Sequence, residues 1–106
     1  MKYVYNKLVR DKVPEEINKI EGRKATYKIL NNDEYLKELD KKLFEEAHEF
    51  IEEHSVEELG DLIEVILSIM NIKNISIEQV NEARKIKKDE NGGFENKIYL
   101  IDVEES

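Results

Sequence analysis

Two pairs of acidic residues are the first feature of this sequence that could do chemistry. Glu46 and Glu49 form one pair, and Glu58 and Asp61 form the other. Residues three positions apart lie on the same side of a helix, so each pair presents two carboxylates in one direction. Clustered oxygen ligands of this kind suit hard divalent cations such as magnesium or manganese. The spacing therefore makes a divalent-cation site the first hypothesis.

The apolar residues around each pair predict helices that carry these acids towards a packed seam. When the chain is wound at about 100° per residue, Glu46 falls inside the apolar arc of its helix. Glu58 falls inside the apolar arc of the next helix in the same way. Glu49 and Asp61 each lie about 60° away, towards the edge of the arc. Each helix is thus predicted to place one carboxylate in its buried stripe and a second beside it.

A tight turn at His54 and Ser55 would make the two helices antiparallel and bring all four carboxylates together. Desolvation and mutual repulsion would then raise the pKa values of these carboxylates, unless a bound cation balanced their negative charge. An alternative stays open for Glu58, because the third position of a capping box also favours a glutamate. Acidic residues on solvated helix faces are a second ordinary explanation for such pairs.

Helix-starting residues, glycines and the single proline predict a mainly helical chain. Capping signals at Asp11, Asn31 to Asp33, Ser55 and Ser76 start four helices. Their predicted ends are Gly22, about His54, about Ile72 and near Asp89. Two β-branched stretches, residues 25–30 and 97–103, are predicted as short strands that could pair with each other.

Length and composition narrow the class of protein. The chain has 106 residues, 25 acidic and 17 basic, for a net charge of −8. We expect a single domain over residues 1–106. The absence of cysteine excludes disulfides, thiolate zinc sites and a cysteine nucleophile. The acidic charge argues against nucleic-acid binding. With no long apolar run and no signal-like N-terminus, we expect no membrane association and a cytoplasmic location.

The second long helix predicts self-association. Its apolar arc covers more than half the circumference, which is wider than one neighbouring helix can bury. In a lone chain Ile63, Leu67 or Met70 would stay partly exposed. We therefore expect at least a homodimer, with four-helix cores formed between subunits.

Three segments resemble the MazG-like all-α nucleoside triphosphate pyrophosphohydrolases. The run Glu45-Glu46-Ala47-His48-Glu49, followed by Glu58-Leu59-Gly60-Asp61, resembles the EExxE…ExxD signature of that superfamily. Residues 5–14 and 92–98 resemble a branch of small house-cleaning proteins, often described as phosphoribosyl-ATP pyrophosphohydrolase-like. The three segments occur in the family's order and cover nearly the whole chain.

The resemblance implies a fold and an activity. The fold is a MazG-like antiparallel helical bundle completed by oligomerisation to a homodimer or homotetramer, with one or two short peripheral strands. The activity is a magnesium-dependent hydrolase, with manganese as a possible substitute. It cleaves a nucleoside triphosphate, or a substrate like phosphoribosyl-ATP, between the α and β phosphates. The family's metal ligands correspond to Glu46, Glu49, Glu58 and Asp61, the residues that the helical winding selects independently.

Further residues are expected to handle the proton and the phosphates. A carboxylate, Glu45 or Glu49, would take the proton of the attacking water. The resemblance places Lys88 at the substrate phosphates, with Lys85 or Lys87 as substitutes. Arg10 and Lys7 of the N-terminal motif are additional phosphate candidates.

Two rival functions come from other classes. Glu45 and His48 have the Glu-x-x-His spacing of di-iron or di-manganese bundles, but the chain has only one copy of that spacing. A non-catalytic acidic helical adaptor or oligomerisation protein would explain the wide apolar arc. It would not explain carboxylates embedded in that arc.

Overall fold

The structure, a computed structural model that describes residues 1–106, is all-helical. Its helices are α1 (Val13–Asn18), α2 (Asn32–Glu53), α3 (Val56–Ile72) and α4 (Ile77–Asn91). The mainly α prediction is confirmed. The chain forms two compact units, Met1–Asn74 with α1 to α3 and Ile75–Ser106 with α4. The expectation of a single domain stays a prediction.

Side-chain caps start the three long helices where the sequence predicts them. The Asn31 side chain accepts a hydrogen bond from the Glu34 N–H at 2.9 Å. Ser55 and Ser76 do the same for the third residues of α3 and α4, both at 3.1 Å. These bonds satisfy N–H groups that have no partner within the helix. Local chemistry alone therefore fixes where α2, α3 and α4 begin.

The first helix departs from its prediction at both ends. Lys12, not Asp11, is its N-cap, and no side chain caps it. A backbone hydrogen bond from Val13 N–H to the Arg10 carbonyl closes a turn there instead. The helix stops at Asn18, earlier than the predicted end at Gly22. Gly22, at φ 80, lies in the turn that follows.

A two-residue turn folds α2 back along α3. His54 ends α2 in the left-handed conformation at φ 52, and Ser55 is extended and caps α3. The His54 ring packs edge-on against Phe50, with ring centroids 5.0 Å apart. This contact helps to hold a non-glycine residue in a conformation that is unfavourable by about 1–2 kcal/mol. The turn makes the two helices antiparallel neighbours, and they pack against each other.

The core of this hairpin is small. Leu39 of α2 and Val65 of α3 are the only buried apolar side chains, at 3% and 9% exposure. The predicted exposure of Ile63 and Leu67 is confirmed, at 45% and 43%. Met70 is half-buried. The chain thus leaves an apolar face of α3 open to solvent, whose exposed members are Val56, Leu59, Ile63, Ile66 and Leu67.

The two predicted strands are wrong, because no residue of the chain is in a strand. Residues 25–30 and 97–103 have the β-branched and aromatic composition of strands, yet Tyr27 is 66% exposed and Ile98 is 83% exposed. Composition supplies only a weak preference, which becomes a strand when a partner pairs with its backbone groups. No such ladder forms here. None of the four helices is both long and apolar enough to cross a lipid bilayer.

The cap of α3 gives a stability prediction. Ser55→Ala removes the acceptor for the Glu58 N–H and should cost about 1 kcal/mol, lowering Tm by about 4–8 °C. Thermal unfolding followed by circular dichroism measures the change. Ser68→Ala is the matched control on the same helix, because its hydroxyl only donates to the Glu64 carbonyl. An equal Tm for the Ser55 variant and wild type would contradict the capping role.

Candidate functional site

The α2–α3 hairpin brings three acidic side chains together. Glu46 projects from α2, and Glu58 and Asp61 project from the first turns of α3. One carboxylate oxygen of each lies within 4.8 Å of the others, and all three residues are half-buried. We call these three residues the carboxylate cluster. Glu49, the fourth predicted ligand, is exposed and lies outside this group.

Two oxygens of the cluster are shielded from solvent and lack any partner. Glu46 Oε2 and Glu58 Oε2 are buried atoms that accept no hydrogen bond. A shielded polar atom without a partner is unfavourable, and more so when it carries charge. While the acids are ionised, no protein group donates a hydrogen bond to these two oxygens. The Glu49 carboxyl lies within hydrogen-bonding reach of Glu46, so a proton shared between these two acids is the protein's own means of satisfying Glu46.

Helix capping does not account for Glu58. In α2 and α4 the third residue, Glu34 or Gln79, accepts a hydrogen bond from the N-cap backbone and completes a capping box. In α3 the Ser55 side chain caps the helix, but the Glu58 carboxylate accepts no hydrogen bond from the Ser55 backbone N–H. The alternative that the sequence left open for Glu58 is thus not realised, and its carboxylate is free for another partner.

The electrostatics of the cluster favour a cation or protons. Burial raises the pKa of Glu46, and the negative charges of Glu49 and Asp61 raise it further. Burial also raises the pKa of Glu58, followed by the negative charges of Glu49, Asp61, Glu53 and Glu46. Glu49 thus lies close enough to raise the pKa of both half-buried glutamates. Holding all of these carboxylates ionised without a counter-charge destabilises the fold.

The donor set fits a hard divalent cation. Magnesium and manganese prefer oxygen ligands, and the cluster offers three carboxylates with two unsatisfied oxygens. Three protein oxygens would leave coordination positions for water and a phosphate. Glu49, beside the cluster, could supply a further oxygen.

Basic residues of the N-terminal segment contact acids on both helices. Arg10 Nη2 donates a hydrogen bond to Asp61 Oδ1 at 2.9 Å. Lys7 Nζ lies 3.9 Å from a carboxylate oxygen of Glu45. A cleft of about 280 Å³ opens between this segment, α2 and α3. Its lining includes Arg10, Tyr35, Leu39, Glu46, Asp61 and Val65.

Lys42 is a site residue that the sequence analysis missed. It is half-buried, lines the same cleft and lowers the pKa of Glu46 by favouring the ionised carboxylate. The signal was present in the sequence, because Lys42 precedes Glu46 by four positions and so lies one turn away on the same face.

The remaining predicted residues are not members of the carboxylate cluster. His48 Nε2 pairs with Glu52 at 3.1 Å on an exposed face, and Glu45 faces Lys7 instead. The Glu-x-x-His spacing therefore does not assemble a ligand pair.

In the second unit Lys85 pairs with Asp89 at 2.9 Å, and Lys88 lies 3.6 Å from Glu95. Phosphate binding by Lys85 and Lys88 stays a prediction.

Comparison with protein-family models, with curated proteins and with solved structures finds no match for this chain. Its function must therefore be inferred from its own residues and their geometry.

The raised pKa values give a pH prediction for the metal-free protein. A carboxylate whose pKa is higher in the folded state binds more protons there, so stability falls as pH rises above the ordinary value of 4.5. In EDTA we expect the wild-type Tm to fall as the pH rises above about 4.5, because the folded state then loses protons that the unfolded state has already released. Glu46→Gln should flatten that profile and raise Tm at neutral pH by a few degrees.

Glu57→Gln is the control for this measurement. Glu57 is exposed, lies next to Glu58 and makes no ion pair. Its charge favours the helix N-terminus, so its loss should leave Tm unchanged or slightly lower. A Glu46→Gln variant that is less stable than wild type at neutral pH would contradict repulsion within the cluster.

Proposed function

We propose that this chain is a magnesium-dependent, MazG-like nucleoside triphosphate pyrophosphohydrolase. It would cleave the bond between the α and β phosphates of a nucleoside triphosphate, or of a substrate like phosphoribosyl-ATP, to give a monophosphate and pyrophosphate. The observation that carries the proposal is the carboxylate cluster, with its two shielded and partnerless oxygens. The resemblance of three segments to the MazG-like family supports the same activity.

The acids have separate roles in this proposal. Glu46, Glu58 and Asp61 would hold the cation, with Glu49 beside them, and manganese would serve in place of magnesium. When bound, the cation would supply positive charge for the phosphates and would lower the pKa of a water molecule. Glu45 or Glu49, both exposed on α2, accepts the proton of the attacking water. The oxygen of this water bonds to the α phosphorus. The bond between the α phosphorus and the oxygen that bridges it to the β phosphate breaks, and pyrophosphate leaves.

Positive charge is needed because the protein itself is acidic. A chain with a net charge of −8 repels a polyphosphate. Arg10 and Lys42 line the cleft beside the cluster, and Lys7 lies on the same N-terminal segment as Arg10. Arg10, Lys42 and Lys7 are therefore the proposed partners of the substrate phosphates.

The apolar face of α3 supports self-association as part of the same proposal. Four of its residues, Leu59, Ile63, Ile66 and Leu67, remain 38–45% exposed. A second copy of the chain would bury this face in a four-helix core, as a homodimer or homotetramer. This face is also the observation that favours the alternative function, a non-catalytic acidic helical adaptor. That alternative leaves the two partnerless oxygens of the cluster without a role.

Pyrophosphate release tests the activity. Purified protein would be assayed against a panel of canonical and non-standard nucleoside triphosphates and phosphoribosyl-ATP, with magnesium, with manganese and with EDTA. We expect cation-dependent release of pyrophosphate together with a monophosphate. Glu46→Gln or Asp61→Asn should lower the rate at least about 100-fold, with helix content retained. Glu57→Gln is the matched control and should keep the wild-type rate.

Wild-type rates in both cluster variants would overturn the assignment of these acids. If a folded wild-type protein released no pyrophosphate from any substrate and was not stabilised by magnesium, the adaptor function would replace the enzymatic one.

Light scattering tests the self-association. At micromolar concentration we expect wild-type protein to have the mass of a dimer or tetramer. Ile63→Glu should shift the mass towards the monomer, because it places a charge in the proposed interface. Ile20→Glu is the control, since Ile20 is 47% exposed but lies outside α3. A monomeric wild-type protein would contradict the proposed assembly.

A further inference from the structure

The N-terminal segment joins the two helices that build the carboxylate cluster. Arg10 reaches Asp61 of α3 at 2.9 Å, and Lys7 reaches Glu45 of α2 at 3.9 Å. Arg10 is the only basic side chain that forms an ion pair with a member of the cluster. The cluster therefore already has one counter-ion, and the chain itself supplies it.

The Arg10 contact has the features of a replaceable one. A single guanidinium nitrogen makes it, to one oxygen of Asp61. The Arg10 side chain is 63% exposed, and that of Asp61 is 42% exposed. An exposed ion pair of this kind contributes little to stability. A divalent cation carries twice the charge and can approach all three carboxylates of the cluster at once.

Arg10 is also well placed for a second partner. It lines the same cleft as Glu46 and Asp61, so a polyphosphate that reached the cluster would lie near its guanidinium. The planar guanidinium fork matches phosphate oxygens and can bind two of them at once. Its contact with Asp61 uses only part of this capacity.

We propose that Arg10 is the counter-ion of the carboxylate cluster in the metal-free protein, and that it exchanges Asp61 for a substrate phosphate when a divalent cation binds. This inference rests on the proposed function and specifies how its cation and substrate sites are coupled. Arg10 holds Asp61 and competes with the cation while the site is empty of substrate. It then binds the phosphate that the cation draws in.

If Arg10 had a fixed structural role, its removal would change magnesium affinity in the opposite direction. If the guanidinium stayed on Asp61 to orient it as a ligand, removing Arg10 would weaken cation binding. If Arg10 competes, removing it strengthens cation binding and weakens substrate binding. The two accounts therefore separate in one measurement.

The test is calorimetric titration of magnesium into nucleotide-free protein. We expect Arg10→Gln to bind magnesium about fivefold more tightly than wild type, because one positive charge near the cluster is lost. The same variant should show a raised KM for the nucleoside triphosphate in the pyrophosphate assay. Arg10→Lys keeps the charge but loses the fork, so it should bind magnesium like wild type and still have a raised KM.

Arg23→Gln is the matched control, because it removes the same charge from an exposed arginine of the first unit that forms no ion pair. It should bind magnesium like wild type. If Arg10→Gln bound magnesium no more tightly than wild type, the exchange would be overturned. Magnesium binding by the wild-type protein in that experiment would still support the proposed cation site. Absence of magnesium binding in wild type and variants alike would overturn the cation site itself, and the exchange with it.

Discussion

Repulsion among three carboxylates held within 4.8 Å of one another is the constraint on which the rest of the first unit depends. Packing of α2 on α3 brings Glu46, Glu58 and Asp61 together and shields two of their oxygens. Such an arrangement is unfavourable unless protons or cations balance it. The raised pKa values of Glu46 and Glu58, the Arg10 contact with Asp61 and the proposed magnesium site are three responses to the same excess of negative charge.

The α2–α3 hairpin that brings these carboxylates together has only a small apolar core. Only Leu39 and Val65 are buried, and a chain that buries so little apolar surface has small reserves of stability. A second copy of the chain, covering the exposed face of α3, would supply the missing apolar burial. A cation bound to the cluster would stabilise the same hairpin from its other side, since any ligand of the folded state stabilises that state. Assembly and cation binding are therefore expected to be mutually supportive in this protein.

The parts of the structure that depend on local chemistry could be predicted from the sequence. Asn31, Ser55 and Ser76 cap helices because their side chains bond to backbone groups three residues away. The approach of Glu46 to Glu58 followed from helical periodicity and a two-residue turn. Contacts between distant segments could not be predicted in this way. The prediction of two strands was wrong because composition does not supply a second strand to pair with. The contact of Arg10 with Asp61 could not be predicted because it joins residues 51 positions apart.

The central claim is that the cluster is a divalent-cation site, and manganese-induced broadening of amide NMR signals tests it most directly. At sub-stoichiometric manganese, the account predicts selective loss of signals around Glu46 on α2 and from Glu58 to Asp61 on α3. Signals at acidic positions far from the cluster should persist, such as Asp33 and Glu34 in the first turn of α2, which lie about 18 Å or more along the helix from Glu46. Weak broadening spread evenly over all acidic residues would contradict the account, because it would show manganese attracted only by the general negative charge of the surface.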